Sequence, residues 1–298
     1  SRLGAHVLYM PSMGMHMFTM FLANLRLAPL QVMGLGHPAT SHADAIDYVV
    51  VEEDYVGDPA CFSERLLLLP PDGMPYRPSA ATGRLAPPAT RRPVVPETVR
   101  IAVAATTMKL NPGFLSACAR IAAQVARPVH FEFLVGQAVG WVYPQVRRLC
   151  RQYLGDRVTV HPHQPYEQYM ARIADCDLFL NPFPFGNTNG IVDTVSAGLV
   201  GVCKSGAEVH EHIDEGLFRR LGFPDWLVAR SVDEYVAATV RLVGDDAERH
   251  ALARRLSGPE ALDTLFVGRP EIFGDRLAEK LSQAMSLDGP HATGSVLA

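Results

Sequence analysis

Asn181-Pro-Phe-Pro-Phe-Gly-Asn-Thr-Asn-Gly-Ile-Val-Asp193 holds the residues most suited to chemistry in this chain. It follows a short apolar run, Asp177-Leu-Phe-Leu180, and leads into Ile191-Val-Asp-Thr-Val-Ser-Ala-Gly198, which can wind as a helix. The join is therefore predicted to be strand, loop and helix. Two prolines stiffen its first half, while Gly186, Asn187, Asn189 and Gly190 tolerate the backbone angles that let amides converge on an anion. Such a loop can hold a diphosphate without a metal. Asp193 sits one turn into the helix, where a carboxylate facing phosphates would repel them, so it suits neutral hydroxyls such as those of a ribose. An ordinary turn, with an Asn or Thr cap and Asp193 favouring the helix dipole, is the plain alternative.

Four other points along the chain carry polar residues directly after apolar, strand-like runs: Thr106-Thr-Met-Lys109, Gly136-Gln137, His161-Pro-His163 and Lys204-Ser-Gly206. Open parallel sheets bind ligands at the carboxyl ends of their strands. Five consecutive strand ends thus present groups that suit one ligand. Lys109 and one or two histidines can neutralise a diphosphate, with Thr106 beside them. Amides at Thr188 to Gly190 can cradle it, and Gln137 can meet a base edge or a sugar. Lys109 precedes Asn111-Pro112, a helix-start signal, which favours phosphate contact over a solvated surface cation. His161 and His163 would face the same way on a strand, but no third ligand has metal-site spacing, so no metal is expected. His210 and His212 lie two apart on a predicted helix and do not face each other.

The elements that must position these groups follow from the hydrophobic pattern. From residue 100 onward, strands (100–105, 129–135, 157–161, 177–180, 199–203) alternate with helices (111–126, 141–154, 165–174, 190–198, 207–221). That alternation indicates a parallel sheet covered by helices on both faces. Further helices are predicted at 232–243, 247–256 and 270–285. Eight prolines between Pro70 and Pro96 rule out helix interior or central strand there. The expected division is 1–77 for a first lobe, 78–98 for a proline-rich connection, 99–288 for a second lobe and 289–298 for a mobile tail.

The first lobe reads as strand 6–10, helix from Met15 to about Met33, strand 48–51 and strand 65–69. These are few elements for a complete doubly wound domain, so the lobe is expected to be the last part of one that starts upstream. Its glycine-rich turn, Gly34 to Ser41, can place His37 and Thr40 across a cleft, or can be a helix C-cap followed by proline.

At 298 residues with 48% hydrophobic and 19% charged content, the chain can bury a core, and its net charge of -4 argues against a nucleic-acid partner. Five cysteines without a CxxC pair read as reduced thiols of a cytoplasmic protein. No signal-peptide pattern and no membrane span are expected. There is no GxGxxG and no GxxxxGK[ST], which counts against dinucleotide oxidoreductases and P-loop NTPases.

NPFPFGNTNGIVDTVSAGLVGVCKSGAEVHEHIDEGLFRRLGFPDWLVA, TTMKLNP before it, and GMHMFTMFLANLRLAPLQVMGLGHPATSHADAIDYVVVEEDYVG further upstream closely resemble the bacterial cytoplasmic N-glycosyltransferases that modify high-molecular-weight adhesins. These belong to glycosyltransferase family 41, with the O-GlcNAc transferases. The resemblance implies an α/β fold of GT-B type, with a complete C-terminal Rossmann-like domain and the last part of an N-terminal, acceptor-side one. It implies an inverting, metal-independent transfer of a hexose from UDP-glucose or UDP-galactose to Asn in Asn-x-Ser/Thr sequons, the acceptor being an adhesin. No cofactor beyond the UDP-sugar donor is implied. Donor contacts carry over to Lys109, Gln137, His163, Asn187, Thr188, Asn189 and Asp193, with Lys109 and His163 stabilising the leaving group. For the acceptor amide's proton the sequence offers His37, with residues upstream and the donor phosphate as alternatives. An O-linked UDP-sugar transferase and a nucleotide-sugar-binding fragment without catalysis of its own are the competing readings.

Overall fold

The computed structural model describes residues 4–78, 95–258 and 260–287. The chain divides into two compact units. The first takes in the described residues of 1–75, 207–209 and 267–298, and the second those of 76–206 and 210–266. Most of the expected connection, and all of the tail at 289–298, lie outside the described residues.

The first unit is a four-stranded parallel sheet in sequential order: β1 (Val7–Met10), β2 (Leu30–Met33), β3 (Tyr48–Glu52) and β4 (Arg65–Leu69). Only one short helix, α1 (Met17–Leu22), crosses between β1 and β2. The long helix expected to Met33 is therefore wrong: Pro29 cannot donate to a preceding turn, and Leu30 to Met33 instead form a strand buried at all four residues. The glycine turn at Gly34 consequently follows a strand, and the Gly34 amide donates to Met10 O of β1 at 2.9 Å.

Gln31, the one polar residue of that strand, is completely buried. Its side-chain oxygen accepts from the amides of Leu27 and Ala28, and its amide nitrogen donates to Leu25 O and Ala45 O. Gln31→Leu strands two backbone N–H and two C=O groups, and should lower the stability of this unit by about 2 kcal/mol in a denaturant melt. An unchanged midpoint would count against this accounting.

The last helix, Glu271–Leu287, belongs to this unit rather than to the second lobe. Ile272, Phe273, Leu277 and Leu281 pack on the face of Leu30, Val32, Tyr48, Val50, Leu67 and Leu69, and Arg269 pairs with Asp72 at 2.6 Å. Chain order suggested the other assignment, but apolar complementarity decides it.

The second unit is a six-stranded, all-parallel sheet. Its strands are β5 (Val99–Ala105), β6 (Val129–Val135), β7 (Val158–His161), β8 (Leu178–Leu180), β9 (Gly201–Lys204) and β10 (Val228–Ala229), in the order β10-β9-β8-β5-β6-β7. Counted within the unit this is 3-2-1-4-5-6, the order of dinucleotide-binding Rossmann folds. The crossover helices are α2 (Pro112–Gln124), α3 (Val142–Leu154), α4 (Tyr166–Ala174), α5 (Asn189–Ser196) and α6 (Val209–Arg220). They are followed by α7 (Val232–Gly244) and α8 (Asp246–Arg255). Each predicted element is present within a few residues, and the two-residue β10 is added.

Side-chain caps start three of these helices: Asn111 Oδ1 accepts from Phe114 N, Ser231 Oγ from Glu234 N, and Asp245 Oδ1 from Glu248 N. The core between sheet and helices holds Phe114, Phe131, Phe133, Phe179, Phe218 and Tyr235, each at most 1% exposed. Among the described residues no helix is long and apolar enough to cross a membrane.

Candidate functional site

The direction of chain winding reverses between β5 and β8, and in open parallel sheets ligands bind in the crevice outside the strands' carboxyl ends at such a point. The loops leaving these two strands are those that drew attention in the sequence.

From β5 the chain makes a single tight turn, Thr107–Lys109, with Lys109 N donating to Thr106 O. It then enters α2 through Asn111. Two side chains staple this turn to the loop after β8: Asn111 Nδ2 donates to Phe183 O at 2.6 Å, and Lys109 Nζ donates to Gly186 O at 2.6 Å. The ammonium also lies 4.9 Å from the centre of the Phe185 ring, which stacks on His210. Burial pushes the Lys109 ammonium below the usual lysine range, and the Asp214 carboxylate opposes that shift. A partly desolvated cation so held interacts strongly with any anion placed beside it.

The loop itself differs from the sequence reading in one respect. Amides at Thr188 to Gly190 were expected to cradle an anion together. Thr188 N instead donates to Asp214, and Gly190 N to Asn187 O, which leaves Asn189 N, the first of α5, uncommitted. Asn187 is buried, and its amide also donates to Asp214. Thr188 is held at φ +47°, a conformation rare outside glycine.

Asp193 is half-buried on α5 and accepts a 2.7 Å hydrogen bond from the Tyr166 hydroxyl. Burial raises its pKa, and the hydroxyls of Tyr166 and Tyr169 hold it partly back. These two tyrosines, three apart on α4, also line a pocket of about 290 Å³ with Gly136, Pro162, His163, Gln164 and Pro165. The carboxylate thus backs a pocket walled by rings and prolines. His163 is exposed at its rim, and its Nδ1 donates to Gly136 O at 2.8 Å, so Nε2 faces outward. Gln137 is exposed beside it at the end of β6.

Other residues turn away from this group. His161 donates to Glu132 at 2.7 Å. His210 stacks on Phe185 while His212 meets Ser205 and Glu215, as expected of residues two apart on a helix. His37 and Thr40 lie in the first unit: His37 packs where a Cβ on Gly14 would fall, and Thr40 bonds Ser63 and Glu64.

Asp214, Tyr166, Tyr169 and Phe185 were not singled out from sequence. For Asp214 the signal was present, since it lies three and four residues before Leu217 and Phe218, on the apolar face of α6. The tyrosines share one face of α4 by their i, i+3 spacing.

No protein-family model matches the chain. It is 54% identical over 279 residues, 94% of its length, to a UDP-glucose:protein N-β-glucosyltransferase of Actinobacillus pleuropneumoniae, of which it spans 45%. A probable UDP-N-acetylglucosamine–peptide N-acetylglucosaminyltransferase SPINDLY of Solanum lycopersicum is 27% identical over 234 residues, 74% of this chain and 24% of that protein. Among solved structures, an O-GlcNAc transferase variant of Thermobaculum terrenum superposes with a TM-score of 0.77 at 20% identity, covering 97% of this chain and 55% of that one, and shares its fold. The chain spans about half the length of the curated N-β-glucosyltransferases it matches. At 54% identity sustained over nearly its whole length, the chain is similar in sequence to the UDP-glucose:protein N-β-glucosyltransferases, and its fold is of GT-B type.

Proposed function

We propose that the second unit binds UDP-glucose, and that the protein transfers glucose to the side-chain amide of Asn in Asn-x-Ser/Thr sequons, with inversion and without a metal. The observation that carries this reading is the Lys109 ammonium held on Gly186 O across the switch point of the sheet. Uridine suits the pocket of Tyr166, Tyr169 and His163, with Asp193 on a ribose hydroxyl. The diphosphate then lies by Lys109, the Asn189 amide and Nε2 of His163, and Gln137 is left for the base or the sugar. In this arrangement charge growing on the departing UDP meets oriented donors, His163 Nε2 being one of them in the imidazolium form. The choice of glucose, of a protein acceptor and of an N-linkage draws on the relatives' name. UDP-galactose as a second donor, an adhesin as acceptor and a cytoplasmic setting belong to the same proposal.

Calorimetric titration of the folded chain with UDP-glucose should show saturable binding that EDTA leaves unchanged. Full-length protein given UDP-glucose and a sequon peptide should glucosylate Asn and spare the Ser or Thr, as mapped by mass spectrometry. Sugar on the hydroxyl residue would establish the O-linked alternative. No donor binding by folded chain would refute the placement of the donor site. A second reading, a nucleotide-sugar-binding unit whose chemistry needs residues beyond this chain, is favoured by the 45% share of the relatives' length. Donor binding without transfer by this chain, and transfer by the longer protein, would support it.

A further inference from the structure

We infer that Asp214 is the positioning residue of the donor site, fixing from behind both the loop and the lysine that face the diphosphate. This inference rests on the donor-site reading above.

Asp214 is completely buried on α6. Its carboxylate takes the Asn187 amide at 2.9 Å on each oxygen and the Thr188 amide at 3.0 Å on one. It lies against Gly186, where any Cβ would strike the carboxyl group. Three consecutive loop residues are thus shaped by one side chain. Lys109, bonded to the carbonyl of that same Gly186, feels the Asp214 charge, which favours its ammonium form against desolvation. Burial pushes the Asp214 carboxyl up to about 6, while the two amides, Lys109 and Asn181 favour its ionised form. The neighbouring Cys203 of β9 and Tyr235 of α7 are held neutral by burial, so Lys109 is the cation that answers it.

The geometric consequence is specific. Turning the Asn187 and Thr188 amides inward onto Asp214 sets Thr188 at its positive φ and presents the Asn189 amide outward at the start of α5. Asp214 touches no ligand atom in this scheme. It acts through Lys109 and through the direction of one amide. A carboxamide at 214 removes the charge that Lys109 feels, and with its one acceptor oxygen at the Oδ1 position its NH2 group opposes the Asn187 amide.

The test compares affinity for UDP with affinity for uridine, which lacks the diphosphate. Asp214→Asn should weaken UDP binding by at least about tenfold and leave uridine binding within about twofold. In a Lys109→Ala background the same change should have a much smaller effect on UDP, because the two act as a unit. Gly186→Ala, which drives a methyl group into the same carboxylate, should reproduce the pattern, and it carries the test if Asp214→Asn fails to fold by circular dichroism. Unchanged UDP affinity in a folded variant, equal losses for UDP and uridine, or additive effects with Lys109→Ala would each overturn the inference. Failure of the folded wild-type chain to bind UDP would instead overturn the donor-site reading itself.

Discussion

Lys109→Ala in the full-length protein is expected to lower kcat by about 10²–10³-fold, the cost of losing one preorganised donor to a developing anion. The side chain is half-buried and packs at a loop, so its removal opens no core cavity, and the bond lost to Gly186 O is worth about 1 kcal/mol. The effect should therefore appear in turnover rather than in melting temperature. In the proposed transfer, charge accumulates on the leaving diphosphate as the glycosidic bond breaks, so the interaction would strengthen in the transition state, and kcat should fall more than KM rises. Lys109→Arg should not rescue, since a planar guanidinium cannot reproduce a point charge seated between a carbonyl and the Phe185 ring. Because burial lowers the Lys109 pKa in the free protein, wild-type kcat/KM should decline on the alkaline side at a lower pH than an ordinary lysine would set. Single-turnover rates with UDP-glucose and a sequon peptide measure all of this. Wild-type turnover by the alanine variant would remove Lys109 from the mechanism.

The second unit was legible in the sequence because parallel strands are buried on both faces and read as apolar runs. Val103 to Ala105 and Phe133 to Val135 are such runs, and polar caps such as Asn111 and Ser231 mark the helix starts beyond them. The same property misled in the first unit. Leu30 to Met33 is a short apolar run next to a Met-rich helix, and periodicity alone does not separate a buried strand from a buried helix. Pro29 was the available break signal. At the site, loop chemistry was visible at Lys109 and at Gly186 to Gly190, because unusual backbone demands leave glycines and asparagines behind. What converges on the loop from elsewhere was not. Asp214 meets Asn187 from 27 residues downstream, and Tyr166 meets Asp193 from 27 residues upstream. Such pairings depend on where α6 and α4 pack, which one sequence does not display. The last helix was misassigned for the same reason.

Arg100→Met should destabilise the second unit by about 3 kcal/mol, more than Glu132→Gln, although both remove the same ion pair. Glu132 is 4% exposed in β6 and joins three adjacent strands: Arg100 of β5 donates to it at 2.6 Å and His161 of β7 at 2.7 Å. The asymmetry comes from what is left behind. Without Arg100 the carboxylate remains buried with only an imidazole to answer it. Without the Glu132 charge, Arg100, with a side chain 44% exposed, can turn to water. Bonds from His161 and Arg100 hold the Glu132 pKa below its usual value despite burial. A depressed acid pKa contributes stability that is present above the unfolded-state value of about 4.5, and is lost as pH falls through the lower folded value. The gap between wild type and Glu132→Gln should therefore narrow as the melt is moved from neutral pH to below about pH 4. The same cluster ties down β6 and β7, whose ends carry Gly136 and His163, so Arg100→Met should also weaken UDP binding at temperatures where the chain is still folded. Equal destabilisation by the two variants at neutral pH would show that the Glu132 carboxylate is hydrated in solution, and that its buried triad does not organise this edge of the sheet.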